Sequence, residues 1–256
     1  MTERVAVVTG GNRGIGQAIA IGLAAHGFAV AATARDADTL DGTVATIAAR
    51  GGTAIGLRCD VRDEDSVAAM ARQVANLGPV HTVVANAGIA GPTAPLHEIG
   101  LAEWRDCLAC DLDGVFLTFR AFIPAMIRSG AGSLIAISSA TGKRPLYGRT
   151  PYAAAKMGVI GLVRSLAVEL GPHGIRVNSV CPGAVAGPRI EGVIRSQAEA
   201  RGVTEDEARL EFTAASPLAR FVGADEVAAA CVYLASDAAA SITGEDLNVS
   251  AGAVMY

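Results

Sequence analysis

Aromatic side chains are scarce in this chain: one Trp, four Tyr and six Phe stand among 256 residues, of which 51 % are apolar. Ala, Val and Gly carry the apolar content instead, a composition that suits close packing of helices on a sheet better than a β-sandwich. An excess of positive charge is missing as well. The formal net charge is −4, which leaves no global basic field to attract nucleic acid or an anionic bilayer. Apolar runs long enough to span a membrane are absent, and the first strand-like run begins at Arg4, too near the amino end for a secretory leader. Cytoplasmic residence is therefore the expectation. Cysteines are few and odd in number: Cys59, Cys107, Cys110, Cys181 and Cys231 are scattered through apolar segments, which argues against a disulfide framework. Cys107 and Cys110 have the spacing of a redox or metal pair. They lie inside a predicted helix, however, without a second Cys pair, and His26, His81, His97 and His173 show no ligand spacing to join them. Core packing is the reading adopted for both, and no metal site is expected.

What is present is a rhythm. Short β-branched runs alternate with longer Ala-rich runs of helical period, the pattern of repeated βαβ units around a parallel sheet. Strands are predicted over Val5 to Val8, Phe28 to Thr33, Ala54 to Leu57, Thr82 to Ala85, Ser133 to Ile137 and Arg176 to Val180. Helices are predicted over Gly14 to Ala25, Thr39 to Ala49, Asp65 to Leu77, Trp104 to Ile127 and Tyr152 to Leu170. A last helix near Asp225 to Leu234 and a strand near Leu247 to Val249 bring the sheet to seven strands. The expected fold is α/β: a single-domain, Rossmann-type, doubly wound parallel sheet over residues 1–256, with helices on both faces. One segment, at about 184–222, breaks the rhythm with about forty residues between a strand and its helix. Ile190, Val193, Ile194 and Ala198 form one stripe there, and Thr204 with Glu207 reads as a capping box. A lid or substrate loop is expected, with extra packing at an oligomer surface as the alternative.

Thr9-Gly10-Gly11-Asn12-Arg13-Gly14-Ile15-Gly16 lies where the first strand ends and the first helix begins. Glycines at such a joint let the backbone turn and approach a pyrophosphate, while the helix N-terminus offers free N–H groups and a favourable dipole. At the end of the second strand an acid would bind the ribose 2′-OH of NAD, and a cation would accommodate the 2′-phosphate of NADP. The sequence there reads Thr33-Ala34-Arg35, and Arg13 lies beside the same edge. NADP(H) is the expected cofactor, with NAD(H) the alternative if Asp36 turns inward.

Tyr152-Ala-Ala-Ala-Lys156 opens a predicted helix, so Tyr and Lys share one face, a turn apart. A cation held beside a phenol favours the phenolate and makes a general acid/base usable at neutral pH. Asn86-Ala87-Gly88 follows the fourth strand, Ser138-Ser139 the fifth and Pro182-Gly183 the sixth. In this order, and at these strand ends, the motifs resemble those of the short-chain dehydrogenases/reductases from Arg4 to the final residues. The resemblance implies that Ser139 orients and polarises the substrate carbonyl and that Tyr152 donates and accepts the proton. Lys156 tunes Tyr152 and holds the nicotinamide ribose. It further implies a cofactor groove lined by Gly10, Asn12, Arg13, Gly14, Ile15, Gly16, Arg35, Asp60, Val61, Asn86, Ala87, Gly88, Pro182, Gly183 and Val185, with Asp60 and Val61 at the adenine. Three positions depart from the family pattern. Asp111 stands where the family usually has an asparagine supporting a path to the lysine, Gly187 replaces a threonine, and Ser250-Ala251-Gly252 replaces Asp-Gly-Gly.

The implied function is hydride transfer between nicotinamide and a ketone or secondary alcohol. A 3-oxoacyl-thioester reductase acting on carrier protein or coenzyme A is one alternative, and a non-catalytic dinucleotide-sensing regulator another. Lys143, Arg144, Arg149 and Arg189 stand on loops flanking the expected mouth and point to an anionic substrate, with solvated charges as the bland alternative. Family resemblance also implies a homotetramer packed through the two long helices and the C-terminal strand.

Overall fold

The computed structural model describes residues 4–256. Seven strands are present: β1 (Arg4–Thr9), β2 (Phe28–Ala34), β3 (Ala54–Arg58), β4 (Val80–Ala85), β5 (Gly132–Ile137), β6 (Ile175–Pro182) and β7 (Asp246–Val249). All pair in parallel, in the order β3-β2-β1-β4-β5-β6-β7. Strand order reverses between β1 and β4, so the crevice beyond their carboxyl ends is the place where such sheets bind ligands.

The central strands β1, β2, β4, β5 and β6 alternate their side chains between two largely covered faces, which is why those runs read as mainly apolar, whereas the edge strands β3 and β7 are partly exposed. Val5 and Val7 join one core with Phe119, Phe122 and Met126, whereas Ala6 and Val8 join the other with Ile19, Leu23 and Cys231. The helices are α1 (Gly14–Ala25), α2 (Asp41–Ala49), α3 (Glu64–Val74), α4 (Leu101–Leu108), α5 (Gly114–Ser129), α6 (Ala140–Lys143), α7 (Thr150–Leu170), α8 (Pro188–Arg201), α9 (Glu205–Ala214) and α10 (Ala224–Ala235). Residues of α3, α5 and α7 pack on the first face, and residues of α1, α2 and α10 on the second.

Three expected boundaries are corrected. The helix expected over Thr39 to Ala49 begins as a tighter 3₁₀ turn, Ala37–Leu40, because the Asp36 carboxylate caps it by accepting from Asp38 N. The helix expected from Asp65 starts a residue earlier, behind the cap of Asp63, and its helical residues end at Val74. The single helix expected over Trp104 to Ile127 is two helices joined by a π-helical turn at Ala109–Asp113. This wider turn brings Asp111 into the interior, at 0 % exposure, and such turns recur at functional positions. The next turn closes against Val61, whose Cγ2 would lie 2.8 Å from a Cβ placed on Gly114.

The long excursion starts and ends at one point. Val185 and Val222 form a parallel bridge, and Ala186 N donates to Val222 O at 2.9 Å. Between them α8 and α9 pack on each other through Ile190, Ile194, Ala198 and Ala208, a cluster separate from the two main cores. Thr204 and Glu207 form the anticipated capping box. Among the described residues, no helix is long and apolar enough to cross a membrane.

Phe119 is 1 % exposed at the centre of the first core. Phe119→Ala is expected to cost about 3–5 kcal/mol, read as a lower urea midpoint with an unchanged m-value.

Candidate active site

Short hydrogen bonds tie the ends of β1 and β4 together. Thr9 Oγ1 accepts from Asn86 N and Ala87 N, each at 3.0 Å, and Asn86 Nδ2 donates to Thr9 O at 2.9 Å and Gly10 O at 3.2 Å. The glycine loop is thereby held against the crevice. Gly10 and Gly14 adopt left-handed φ values of 66° and 54°. A Cβ on Gly16 would lie 2.0 Å from Gly10 O, so only glycine allows the first turn of α1 to sit on the loop. No described side chain caps α1 at Arg13, and Gly14 faces open space. Uncapped N–H groups and a close, open backbone fit a pyrophosphate, and with it a dinucleotide.

Beyond the carboxyl ends of β2 and β3 the charges sort into pairs and singles. Arg13 and Arg35 are exposed, and neither forms an ion pair with another described residue. Asp36 is turned to its capping task, and Asn12 Nδ2 reaches Thr39 Oγ1 at 3.1 Å. Hydrogen bonds from Arg62 to Asp60, at 2.7 and 3.0 Å, hold the Asp60 carboxyl below the usual carboxylate range. Val61 is buried beside it.

Ser139, Tyr152, Lys156 and Asp111 converge beyond β5. Ser139 Oγ accepts from Thr141 N at 3.0 Å and caps α6, which leaves its own proton to donate. Ser138 Oγ donates to Lys156 O at 2.8 Å, fixing β5 to α7. Tyr152 lies half-buried in the first turn of α7, where the Lys156 ammonium stands 5.6 Å from its ring centre. Lys156, 3 % exposed, donates to Ile137 O at 3.0 Å and stands 3.7 Å from Asp111 Oδ2. Asp111 Oδ1 accepts from Ile89 N at 2.7 Å, while Oδ2 has no hydrogen-bond partner. Gly88 is required here, since its Cβ would come within 2.9 Å of Asp111 Oδ1.

The segment after β6 closes the far wall. Gly183 N donates to Val249 O at 2.9 Å, and a Cβ on Gly183 would sit 2.9 Å from Ser250 Cα. Pro182 is buried and Val185 forms the base of the excursion. Gly187 adopts a φ of 136°, a conformation that a threonine there would hold only under strain.

The four loop cations do not gather as expected. Lys143 turns away from the mouth, because Asp246 and the Tyr256 carbonyl bind its ammonium, and Asn248 Oδ1 accepts from it at 3.1 Å. Arg144 donates to Ala215 O at 3.3 Å. Arg149 and Arg189 do face Tyr152, with guanidinium carbons 4.7 and 6.0 Å from its ring centre. Two features escaped the sequence reading: the burial of Arg149 against that ring, and the clamp of Asp246 on Lys143 and Arg164. Partners of the clamp lie 82 and 103 residues apart in the chain, so no local pattern announces them. Cys107 and Cys110 are buried, and burial pushes their thiols up to about 11 and about 12.

A doubly wound sheet with a glycine loop at its switch point and a Ser-Tyr-Lys group beside it defines a dinucleotide-dependent oxidoreductase acting on C=O or CH–OH groups. The family model described as "Enoyl-(Acyl carrier protein) reductase" matches residues 10–254. Cis-4-hydroxycyclohexanecarboxylate dehydrogenase of Sinomonas cyclohexanicum is 41 % identical over 98 % of this chain and 96 % of its own length. A 3-oxoacyl-[acyl-carrier-protein] reductase of Synechocystis is 37 % identical over 100 % of this chain and 99 % of its own. Among solved structures, actinorhodin polyketide ketoreductase with NADPH superposes with a TM-score of 0.94 at 35 % identity, covering 99 % of this chain and 98 % of that one. The chain belongs to the short-chain dehydrogenase/reductase family.

The clamp at Asp246 supports α6, and thus Ser139. Desolvation opposes the Asp246 charge, yet hydrogen bonds from Lys143 and Arg164 hold its carboxyl below the usual range. A depressed carboxyl stabilises the fold above its unfolded value, about 3.9, and that stability is lost as pH falls through the lower folded value. Asp246→Asn is therefore expected to lower Tm at pH 7 by at least about 4 °C, with the difference from wild type shrinking in melts recorded toward about pH 2.

Proposed function

We propose that this protein is an NADP(H)-dependent oxidoreductase interconverting a ketone and its secondary alcohol, with Tyr152 as proton donor and acceptor. The observation that carries this reading is the buried Lys156 ammonium, 5.6 Å from the Tyr152 ring centre, on a helix that Ser138 fastens to the end of β5 just ahead of Ser139. When held in the crevice, NADP(H) would supply the hydride chemistry at the carbonyl carbon in either direction. Ser139 donates its free hydroxyl proton to the carbonyl oxygen as a hydrogen bond, orienting it and stabilising the developing charge. Tyr152 then gives its phenolic proton to the alkoxide oxygen and regains one from solvent. Lys156 steadies the phenolate so formed, and Asp111 holds Lys156 in place.

Arg13 and Arg35, which pair with no described acid, would grip a 2′-phosphate, which supports NADP(H) over NAD(H). Gly10, Asn12, Gly14, Ile15 and Gly16 would cradle the pyrophosphate, Asp60 and Val61 the adenine, and Asn86, Ala87, Gly88, Pro182, Gly183 and Val185 the nicotinamide half. Segment 184–222 serves as a lid: it hinges on one bridge and has its own apolar cluster. Exposed Phe116 on α5, Met157 and Val168 on α7 and Leu247 on β7 support a homotetramer built on those faces.

The test is a coupled absorbance assay with both cofactors. The panel contains 4-oxocyclohexanecarboxylate, the ketone of the alcohol in the Sinomonas relative's name, and a 3-oxoacyl thioester, after the Synechocystis relative. Tyr152→Phe is expected to lose about 10²–10⁴-fold in kcat while binding NADPH within about threefold of wild type; retention of full velocity would sink the mechanism. If no compound turns over although NADPH binds, a sensing role replaces catalysis. Arg35→Ala is expected to narrow the NADPH-to-NADH ratio of kcat/KM by about tenfold or more.

A further inference from the structure

Two guanidinium groups crowd onto three consecutive backbone carbonyls. Arg149, in the turn before α7, is 4 % exposed and donates to Ala90 O at 2.6 Å. Arg189, in the first turn of α8, donates to Gly88 O at 3.3 Å and Ile89 O at 2.5 Å. Both lean toward the Tyr152 ring, within 4.7 and 6.0 Å of its centre.

What they lack is an anion. Neither arginine forms an ion pair with a described carboxylate. The Nε of Arg149 is buried without a hydrogen-bond partner. Asp111, an acid whose charge reaches Arg149, is committed to Ile89 N and Lys156. Burial works against the Arg149 charge, and the like charge of Arg189 adds to the effect. A buried, unpaired cation beside a second cation is costly until a counter-charge joins them.

We propose that Arg149 and Arg189 form an anion subsite that takes the carboxylate of a small oxo acid, or of the matching hydroxy acid, while its carbonyl or alcohol lies at Ser139 and Tyr152. The inference rests on the redox reading above and narrows it. A planar guanidinium presents paired N–H donors that match two carboxylate oxygens. Both groups stand within a ring's width of Tyr152, which limits the substrate to a few bonds between carboxylate and carbonyl and disfavours a long acyl thioester. Arg189 rides on the lid segment, so closing that segment over the substrate would bring the second cation to the carboxylate.

The test has a binding arm and a turnover arm. Calorimetry on NADPH-saturated protein compares unreactive cyclohexanecarboxylate with cyclohexanecarboxamide, and steady-state assays compare 4-oxocyclohexanecarboxylate with its methyl ester. Wild type is expected to prefer the carboxylate in each pair. Arg149→Gln and, separately, the solvent-exposed Arg189→Gln should lose about ten- to a hundredfold in kcat/KM on the oxo acid, mainly through KM, and far less on the ester. NADPH affinity should stay within about threefold of wild type. Tyr152→Phe should show the same loss of about 10²–10⁴-fold in kcat and keep the carboxylate affinity. Equal losses on acid and ester, or no wild-type preference for carboxylate over amide, would overturn the proposal. A collapse of NADPH affinity in both arginine variants would assign the pair to the cofactor and overturn it too. Carboxylate binding without any wild-type turnover would sink the redox reading and leave the subsite standing.

Discussion

A positive charge buried at the start of α7 dictates the arrangement around it. Removing an ammonium from water costs several kcal/mol unless an acceptor and a counter-charge replace the solvent; Lys156 finds the acceptor in Ile137 O and the counter-charge in the Asp111 carboxylate, 3.7 Å away. To deliver that carboxylate the chain leaves α geometry between α4 and α5 for one wider turn. To make room for it, residue 88 carries no side chain. To keep Lys156 from drifting, Ser138 binds its carbonyl and joins the end of β5 to the helix. One charge thus accounts for a π turn, a glycine and half of a serine pair, and its reward is a cation fixed beside the phenol of Tyr152.

The loop cations divide by the acids within reach. Asp246 stands on the edge strand with its side chain 9 % exposed, and it captures both Lys143 and Arg164. Those charges become structural: Lys143 braces α6 while Ser139 caps its other end, and Arg164 ties α7 to the edge strand. No described acid captures Arg149 or Arg189, which settle for carbonyl oxygens of the loop after β4. The same logic holds at the carboxyl ends of β2 and β3, where Asp60 takes Arg62 while Arg35 has no ion pair with a described acid.

The sheet was legible because its strands are buried on both faces and separated by helices of clear period, and the glycine loop because its place between β1 and α1 has a mechanical purpose. The pairing of Tyr152 with Lys156 on one helix face could be anticipated from their spacing of one turn, whereas Ser139 was named only through the family resemblance. Asp111 was visible as a departure, yet its inward turn was not: a π turn adds one residue per turn, and helical period alone does not register it. The tighter start before α2 was hidden for a related reason, a short-range cap by Asp36 that competes with helical geometry. Lys143 misled because its partner lies on the last strand, and charge clustering along the chain carries no record of such a pairing.

The five thiols are all interior, and burial raises the values of all of them. They are spread over the layers of the molecule: Cys59 and Cys110 beneath one set of helices, Cys231 beneath the other, Cys181 within the sheet between them. Because only an exposed thiolate attacks an alkylating reagent, the order in which these cysteines become labelled as denaturant is raised would record which layer of the molecule comes apart first.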